Sequence, residues 1–346
     1  MLLQKLSEAR GVSGDEGAVR DLLLDAVRDL VDEYRLDALG NLICLKKGTD
    51  GASWPRKVLV AAHMDEVGFM VTAINNDGTL RVEAVGGLDD RILLSKQVLV
   101  GKDGVPGVIG YRPIHLIPAD QRSKVPELKE LAVDIGATDK ADAEKRVSRG
   151  DYVSFHTSFE TLSEGGLRAV KGKAFDDRAG CAVLVEVLRE RYAFDLYAVF
   201  TAQEEVGLRG ARVAAYAVDP DVALALEGTI CDDLPSDEDQ SPVTELGKGP
   251  AITLMDNSFI ADRRLVNLLV RSAEEAGLPY QFKRAVAGGT DAGALHLARE
   301  GVPAAVVSVP CRYIHAPVAL LSLEDFEHTV RLVVAALHNL EGGLPS

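Results

Sequence analysis

Residues 57–65 read KVLVAAHMD: a lysine, five apolar residues, then a histidine and an aspartate two positions apart. A strand apolar along its whole length is buried on both faces, as strands of a parallel sheet are when helices cover each side. The same texture recurs at 195–202 (DLYAVFTA), 222–226 (VALAL) and 304–310 (AAVVSVP). Among these strands lie helical patterns such as RAGCAVLVEVLRER (178–191), LVNLLVRSAEEAG (265–277) and FEHTVRLVVAALHNL (326–340). The implied fold class is α/β, with a central, mostly parallel mixed sheet flanked by helices.

The stretch between differs. From Phe69 to about Phe159 short β-rich runs (FMVTAI, LRVEAV, KQVLVG, GVIG, DYVSF) are cut by turns such as NNDG, and one helical pattern, KADAEKRV, interrupts them. This predicts a small β-barrel or sandwich inserted into the α/β unit. The expected division is an inserted β-barrel domain at 68–165 and a discontinuous catalytic domain at 1–67 and 166–346. Near the start, Ser13 and Glu16 stand at the spacing of a capping box, predicting a helix through DEGAVRDLLLDAVRDLV (15–31).

Composition narrows the function. In 346 residues, 38 Lys and Arg against 53 Asp and Glu give a net charge of −15 with no basic run, which argues against nucleic acid or an anionic membrane as partner. Lys5, Glu8 and Arg10 break the apolar residues of the N-terminus before a signal-peptide core can form. Four widely spaced cysteines (Cys44, Cys181, Cys231, Cys311) make neither a disulfide framework nor a CxxC metal pair, so a reducing, cytoplasmic setting is expected.

The polar residues at the strand ends carry the chemistry. One strand runs into His63 and Asp65, a second into Gln203, Glu204 and Glu205, a third ends at Glu227, and the fourth leads through Cys311, Arg312 and Tyr313 to His315. In an open α/β sheet, ligands bind beyond the carboxyl ends of the strands, so positions some 250 residues apart can converge there. Asp176 and Asp177 precede a helix and add carboxylates. Each residue alone has an ordinary reading: a rim histidine, a solvated Glu pair, an Asp cap. All five segments arriving together at one sheet edge do not. Two histidines, several carboxylates and no thiolate suit zinc, cobalt or manganese. These are too many ligands for one tetrahedral ion, whereas a carboxylate bridging two ions about 3.5–4 Å apart uses them all. The loop Gly288, Gly289, Thr290, Asp291 and the residues Asp256 and Asn257 are turn and cap residues or parts of a substrate pocket, with nothing in the spacing to decide.

The segments AAHMDEVGFMV, KAFDDRAGCAVL, TAQEEVGLRGA, GGTDAGALH and RYIHAPVALLSLED resemble the dimetal aminopeptidases that include glutamyl and deblocking aminopeptidases and the tetrahedral (TET) peptidases. The resemblance implies a zinc-exopeptidase-like fold and release of N-terminal residues from short peptides, with two divalent ions, Zn2+ or Co2+ (or Mn2+), per subunit. It implies that Asp176 bridges the ions, that His63 and Glu227 complete one set and Glu205 and His315 the other, that Glu204 is the general base and that Asp65 orients His63. It also implies a cis peptide between Asp176 and Asp177, and self-association into dimers through the β domain and then a tetrahedral dodecamer. The family commonly has aspartate where this chain has Glu227. Two rivals stand beside this reading. A carboxypeptidase or N-acyl amino acid deacylase would need a basic group for a substrate carboxylate, with Arg178, Arg209 and Arg312 as candidates; an inactive assembly protein would have kept the fold alone.

Overall fold

The computed structural model describes residues 1–49, 54–234 and 243–344. Its centre is a mixed sheet in which the strands Asp195–Thr201, Lys57–His63, Val222–Ile230 and Ala304–Arg312 lie side by side in parallel. Antiparallel strands flank these four, among them Leu42–Lys46 on one side and Ala319–Ser322 on the other.

Period two explains the burial of these strands. Val58, Val60 and Ala62 face one apolar layer with Leu224, Leu226, Ala305, Val307 and Val309; Leu59 and Ala61 face a second with Ala223, Ala225, Ala304 and Val306. Helices Leu2–Glu8, Gly17–Val27, Phe175–Val187, Arg263–Glu275 and Leu323–Leu340 contribute to the first layer, and Arg209–Val218 and Ala292–Leu295 to the second. Each fully buried Val or Leu contributes roughly 1.5–3 kcal/mol relative to exposure, so the interior of each strand is mostly apolar. Charged side chains are thereby concentrated toward the strand ends, with Glu227 inside the strand Val222–Ile230 as an exception.

A closed barrel of six antiparallel strands departs from this sheet after His63, beginning with Gly68–Ile74 and ending with Tyr152–Phe155. It has its own core, including Phe69, Leu80, Val98, Ile109 and Val133, with Phe69 and Phe155 edge to face at 5.5 Å. The strand Glu160–Thr161 already pairs with Ala169–Gly172 of the large sheet, inside the stretch expected to be insertion. The KADAEKRV pattern yields only a single turn, Lys140–Ala143, capped by the Asp139 side chain, and four further short 3-10 turns occur in this region.

The expected capping box is absent. The helix runs from Gly17 to Val27 with no side-chain cap at Glu16. Ser13 donates instead to Asp65, and Glu16 accepts from the amides of Gly14 and Gln203. Long-range partners outcompete a local cap because burial removes water as the alternative acceptor.

Candidate metal centre

The carboxyl ends of the parallel strands bring His63, Asp176, Glu204, Glu205, Glu227 and His315 together along one cleft of about 940 Å³. Asp176 sits at the middle. Its Oδ1 lies 3.3 Å from His63 Nε2, which is in turn 3.5 Å from Glu227 Oε2. Its Oδ2 lies 3.6 Å from His315 Nε2, itself 3.4 Å from Glu205 Oε2. These separations are long for hydrogen bonds, which favour about 2.7–3.2 Å. Two ligands placed about 2.0–2.2 Å from one tetrahedral ion are themselves about 3.3–3.6 Å apart. The donor atoms therefore have the spacing of ligands that share ions, and His63, Asp176 and Glu205 lie close enough together to hold one.

Both imidazoles are oriented with Nε2 facing the Asp176 carboxylate. His315 Nδ1 bonds the Gly87 carbonyl at 2.9 Å, and His63 Nδ1 lies 3.2 Å from the Asp65 carbonyl. In each ring the bond at Nδ1 selects the tautomer with the lone pair on Nε2, as metal-ligating histidines require. The Asp65 carboxylate is 3.5 Å from His63 Nδ1, and its closer contacts lie elsewhere: it accepts from Ser13 Oγ (2.6 Å) and from the amides of Glu204 (3.0 Å) and Glu205 (3.1 Å). Asp65 thus holds the Glu204–Glu205 loop as much as the histidine.

Asp176 and Asp177 are joined by a cis peptide and interrupt the first turn of helix Phe175–Val187 with non-helical angles. Asp177, His63 and Glu227 also lie close enough to share an ion. The Asp177 oxygens, however, accept from the His63 amide (3.2 Å) and the Gly180 amide (2.9 Å), so Asp176 is the better candidate for a ligand. Glu227 lies inside its strand, which continues to Ile230, and Gly228 follows because a Cβ there would stand 2.8 Å from the Asp176 Cα. The longer Glu227 arm uses both oxygens: Oε1 accepts from the Asp291 amide at 3.0 Å while Oε2 faces His63.

The electrostatics suit cations. Burial pushes Glu204 and Glu227 well above the usual carboxyl range, and Glu205 up to about 7. Burial opposes charge on the histidines, yet Glu204 and Asp176 around His63, and Asp176 and Glu205 around His315, prevail, raising His315 to about 10. More carboxyl groups are gathered here than two imidazoles could balance once ionised, and divalent ions are the natural complement. Of the nine non-glycine residues with positive φ among those described, Ala174, Gln203, Leu208, Tyr313 and His315 are ligands, cleft-lining residues or near neighbours in sequence, a concentration of backbone strain typical of functional sites.

Of the pocket candidates, Gly289 and Thr290 line the cleft, whereas Asp256 and Asp291 do not. Asp256 accepts from Thr290 Oγ1 (2.9 Å) and from Ser258, and Asp291 accepts from Thr201 Oγ1; both brace the loop. Sequence reasoning missed Glu16 as a site neighbour, because its spacing has a local explanation, and Lys283, the one Lys or Arg lining the cleft among the described residues.

A family model described as M42 glutamyl aminopeptidase matches residues 40–332. The lysyl aminopeptidase of Pyrococcus furiosus is 36% identical, over 98% of this chain and 97% of its own length. The glutamyl aminopeptidase of Lactococcus lactis is 32% identical, over 97% and 96%. Among solved structures, a TET aminopeptidase from a marine sediment thaumarchaeon superposes with a TM-score of 0.93 at 38% identity, covering 99% of this chain and 97% of that one. The Pyrococcus horikoshii TET1 peptidase, described as assembling into a tetrahedron or a large octahedral shell, gives 0.85 at 34% identity, covering 97% and 98%.

Proposed function

The chain belongs to the M42 glutamyl aminopeptidase family, and from that membership we propose that its cleft releases N-terminal residues from short peptides using two divalent ions, zinc or cobalt, per subunit. Asp176 would bridge the ions, with His63 and Glu227 on one side and Glu205 and His315 on the other. The observation that carries this is that each Asp176 oxygen lies 3.3–3.6 Å from one histidine Nε2, which itself lies 3.4–3.5 Å from one glutamate oxygen.

Bound there, the ions supply Lewis-acid polarisation of the scissile carbonyl and a lowered pKa for water. Glu204 acts as general base: its carboxylate takes the proton of the attacking water and passes it to the leaving amine as the C–N bond breaks. Glu204 Oε2 is 4.0 Å from His63 Nε2, farther than the paired ligands and within reach of a water between them. Asp65 holds the Glu204 amide, which keeps the base facing the centre.

A carboxypeptidase or deacylase reading has less support. Arg178 is buried and donates to the carbonyls of Leu6, Ala9, Gly11 and Met64, Arg312 forms a two-pronged pair with Asp233, and Arg209 bonds Gln203; none of them lines the cleft. Lys283 is the remaining cation for such a substrate, so an assay with blocked and free peptides discriminates. Mass spectrometry of a peptide pool with free and acetylated N-termini is expected to show stepwise N-terminal loss from the free peptides alone, stopped by chelator and restored by zinc or cobalt. C-terminal trimming or deacetylation would transfer the site to the other class.

The barrel is the proposed dimer contact, and the tetrahedral or octahedral assembly of the TET1 relative supports a dodecamer of such dimers. Light scattering is expected to return a mass many times that of one chain, and a single-chain mass would rule the assembly out. A cytoplasmic setting fits the four buried, unpaired cysteines, and no helix among the described residues is long and apolar enough to cross a membrane.

A further inference from the structure

We propose that Glu16 is a positioning residue for the general base, acting through the backbone of Gln203. The inference rests on the aminopeptidase reading above. Glu16 is only 3% exposed, although nothing about an acidic residue in a helix-entry loop calls for burial. A single oxygen, Oε1, accepts two amides: Gly14 of its own loop at 2.7 Å and Gln203 of the catalytic loop at 3.1 Å.

Gln203 sits at φ +60, a left-handed conformation that residues other than glycine seldom adopt unless the surroundings hold it. The path of the chain beyond Gln203 depends on that conformation. Thr201 still belongs to the strand, and the turn at Gln203 sends Glu204 toward His63 and Glu205 toward His315. Asp65 takes the next two amides, so three consecutive amides, Gln203, Glu204 and Glu205, are each held by a buried carboxylate.

The N-terminal segment also grips Asp65 itself. Ser13 Oγ donates to Asp65 Oδ2, the Ser13 amide donates to the Glu66 carbonyl, and the Glu66 amide donates to the Gly11 carbonyl. Residues 11–16 thus form a clamp in which Ser13 fixes one carboxylate of the catalytic loop's cradle and Glu16 supplies the other. Displacing a reacting group by about 1 Å costs on the order of 100-fold in rate, so loss of the clamp should appear in turnover before it appears in substrate binding.

Three variants of the full-length, metal-loaded protein test this: Glu16→Gln, Glu16→Ala and Glu16→Met. Because both amides bond one oxygen, Gln retains the acceptor, while Ala and Met remove it, Met with nearly the original volume. Expected are a kcat lower by about 10- to 100-fold in Ala and Met, KM and metal content close to wild type, and recovery in Gln to within about threefold. Amide hydrogen exchange across Gln203–Glu205 should accelerate in Ala and Met alone, a readout that needs no turnover. Unchanged kcat and exchange in both Ala and Met, or equal losses in all three variants, would overturn the proposal. A wild type that binds metal but cleaves no free peptide would sink the aminopeptidase reading instead, leaving the exchange measurement to judge the clamp.

Discussion

Glu204→Gln is expected to lower kcat by about 10²–10⁴-fold while leaving two metal ions bound per chain. The substitution keeps the shape of the side chain and removes its ability to take a proton. Glu204 lies 4.0 Å from His63 Nε2, outside the contacts at 3.3–3.6 Å made by the proposed ligands, so the proposed ligand set does not include it. Its neighbour Glu205 faces His315 and should behave differently, losing metal when changed. Steady-state kinetics on a saturating peptide, paired with elemental analysis of the purified variant, separates the two roles. Near-normal turnover in Glu204→Gln would show that another group carries the proton.

Asp176→Ala should abolish activity by a different route, through loss of both ions. Its Oδ1 lies beside His63 and its Oδ2 beside His315, so removing them leaves each histidine–glutamate pair short of its proposed shared ligand and takes a negative charge from the centre. Binding of an ion at 1,000 times its Kd stabilises a fold by about 4 kcal/mol. The wild type should therefore melt at a higher temperature with zinc or cobalt than with chelator, and Asp176→Ala should melt alike in both. Retained stoichiometry of two ions in Asp176→Ala would dismiss the bridging role. His315→Ala provides the graded control, with loss expected of one ion.

The legibility of this protein differs from one element to the next. Lys57–His63 is legible because each of its residues after Lys57 is apolar up to His63, and the structure divides them, Val58, Val60 and Ala62 against Leu59 and Ala61, between two buried layers. The polar residues that follow the apolar runs are legible for the same reason, although Glu227 proves to lie inside its strand, which continues to Ile230. Ser13 and Glu16 mislead: their spacing satisfies a local rule, and spacing carries no information about a carboxylate fifty residues away or a loop nearly two hundred away. Asp65 is half legible. Its position two residues after His63 places it beside the imidazole, while its bonds to the Glu204 and Glu205 amides depend on the neighbouring strand Asp195–Thr201.

The amino-acid sequence by itself determined the α/β class, the interruption by a β-rich unit and the chemical kinds gathered at the strand ends, because burial pattern and residue type are properties of short stretches. Only the tertiary structure decided which oxygen of Asp176 meets which histidine, that Glu227 takes the Asp291 amide, and that Glu16 of the N-terminal loop takes the Gln203 amide. Those are short-range contacts between segments far apart in the chain. Their strength falls steeply with distance and angle, so they exist only once the folded sheet has set where each segment ends.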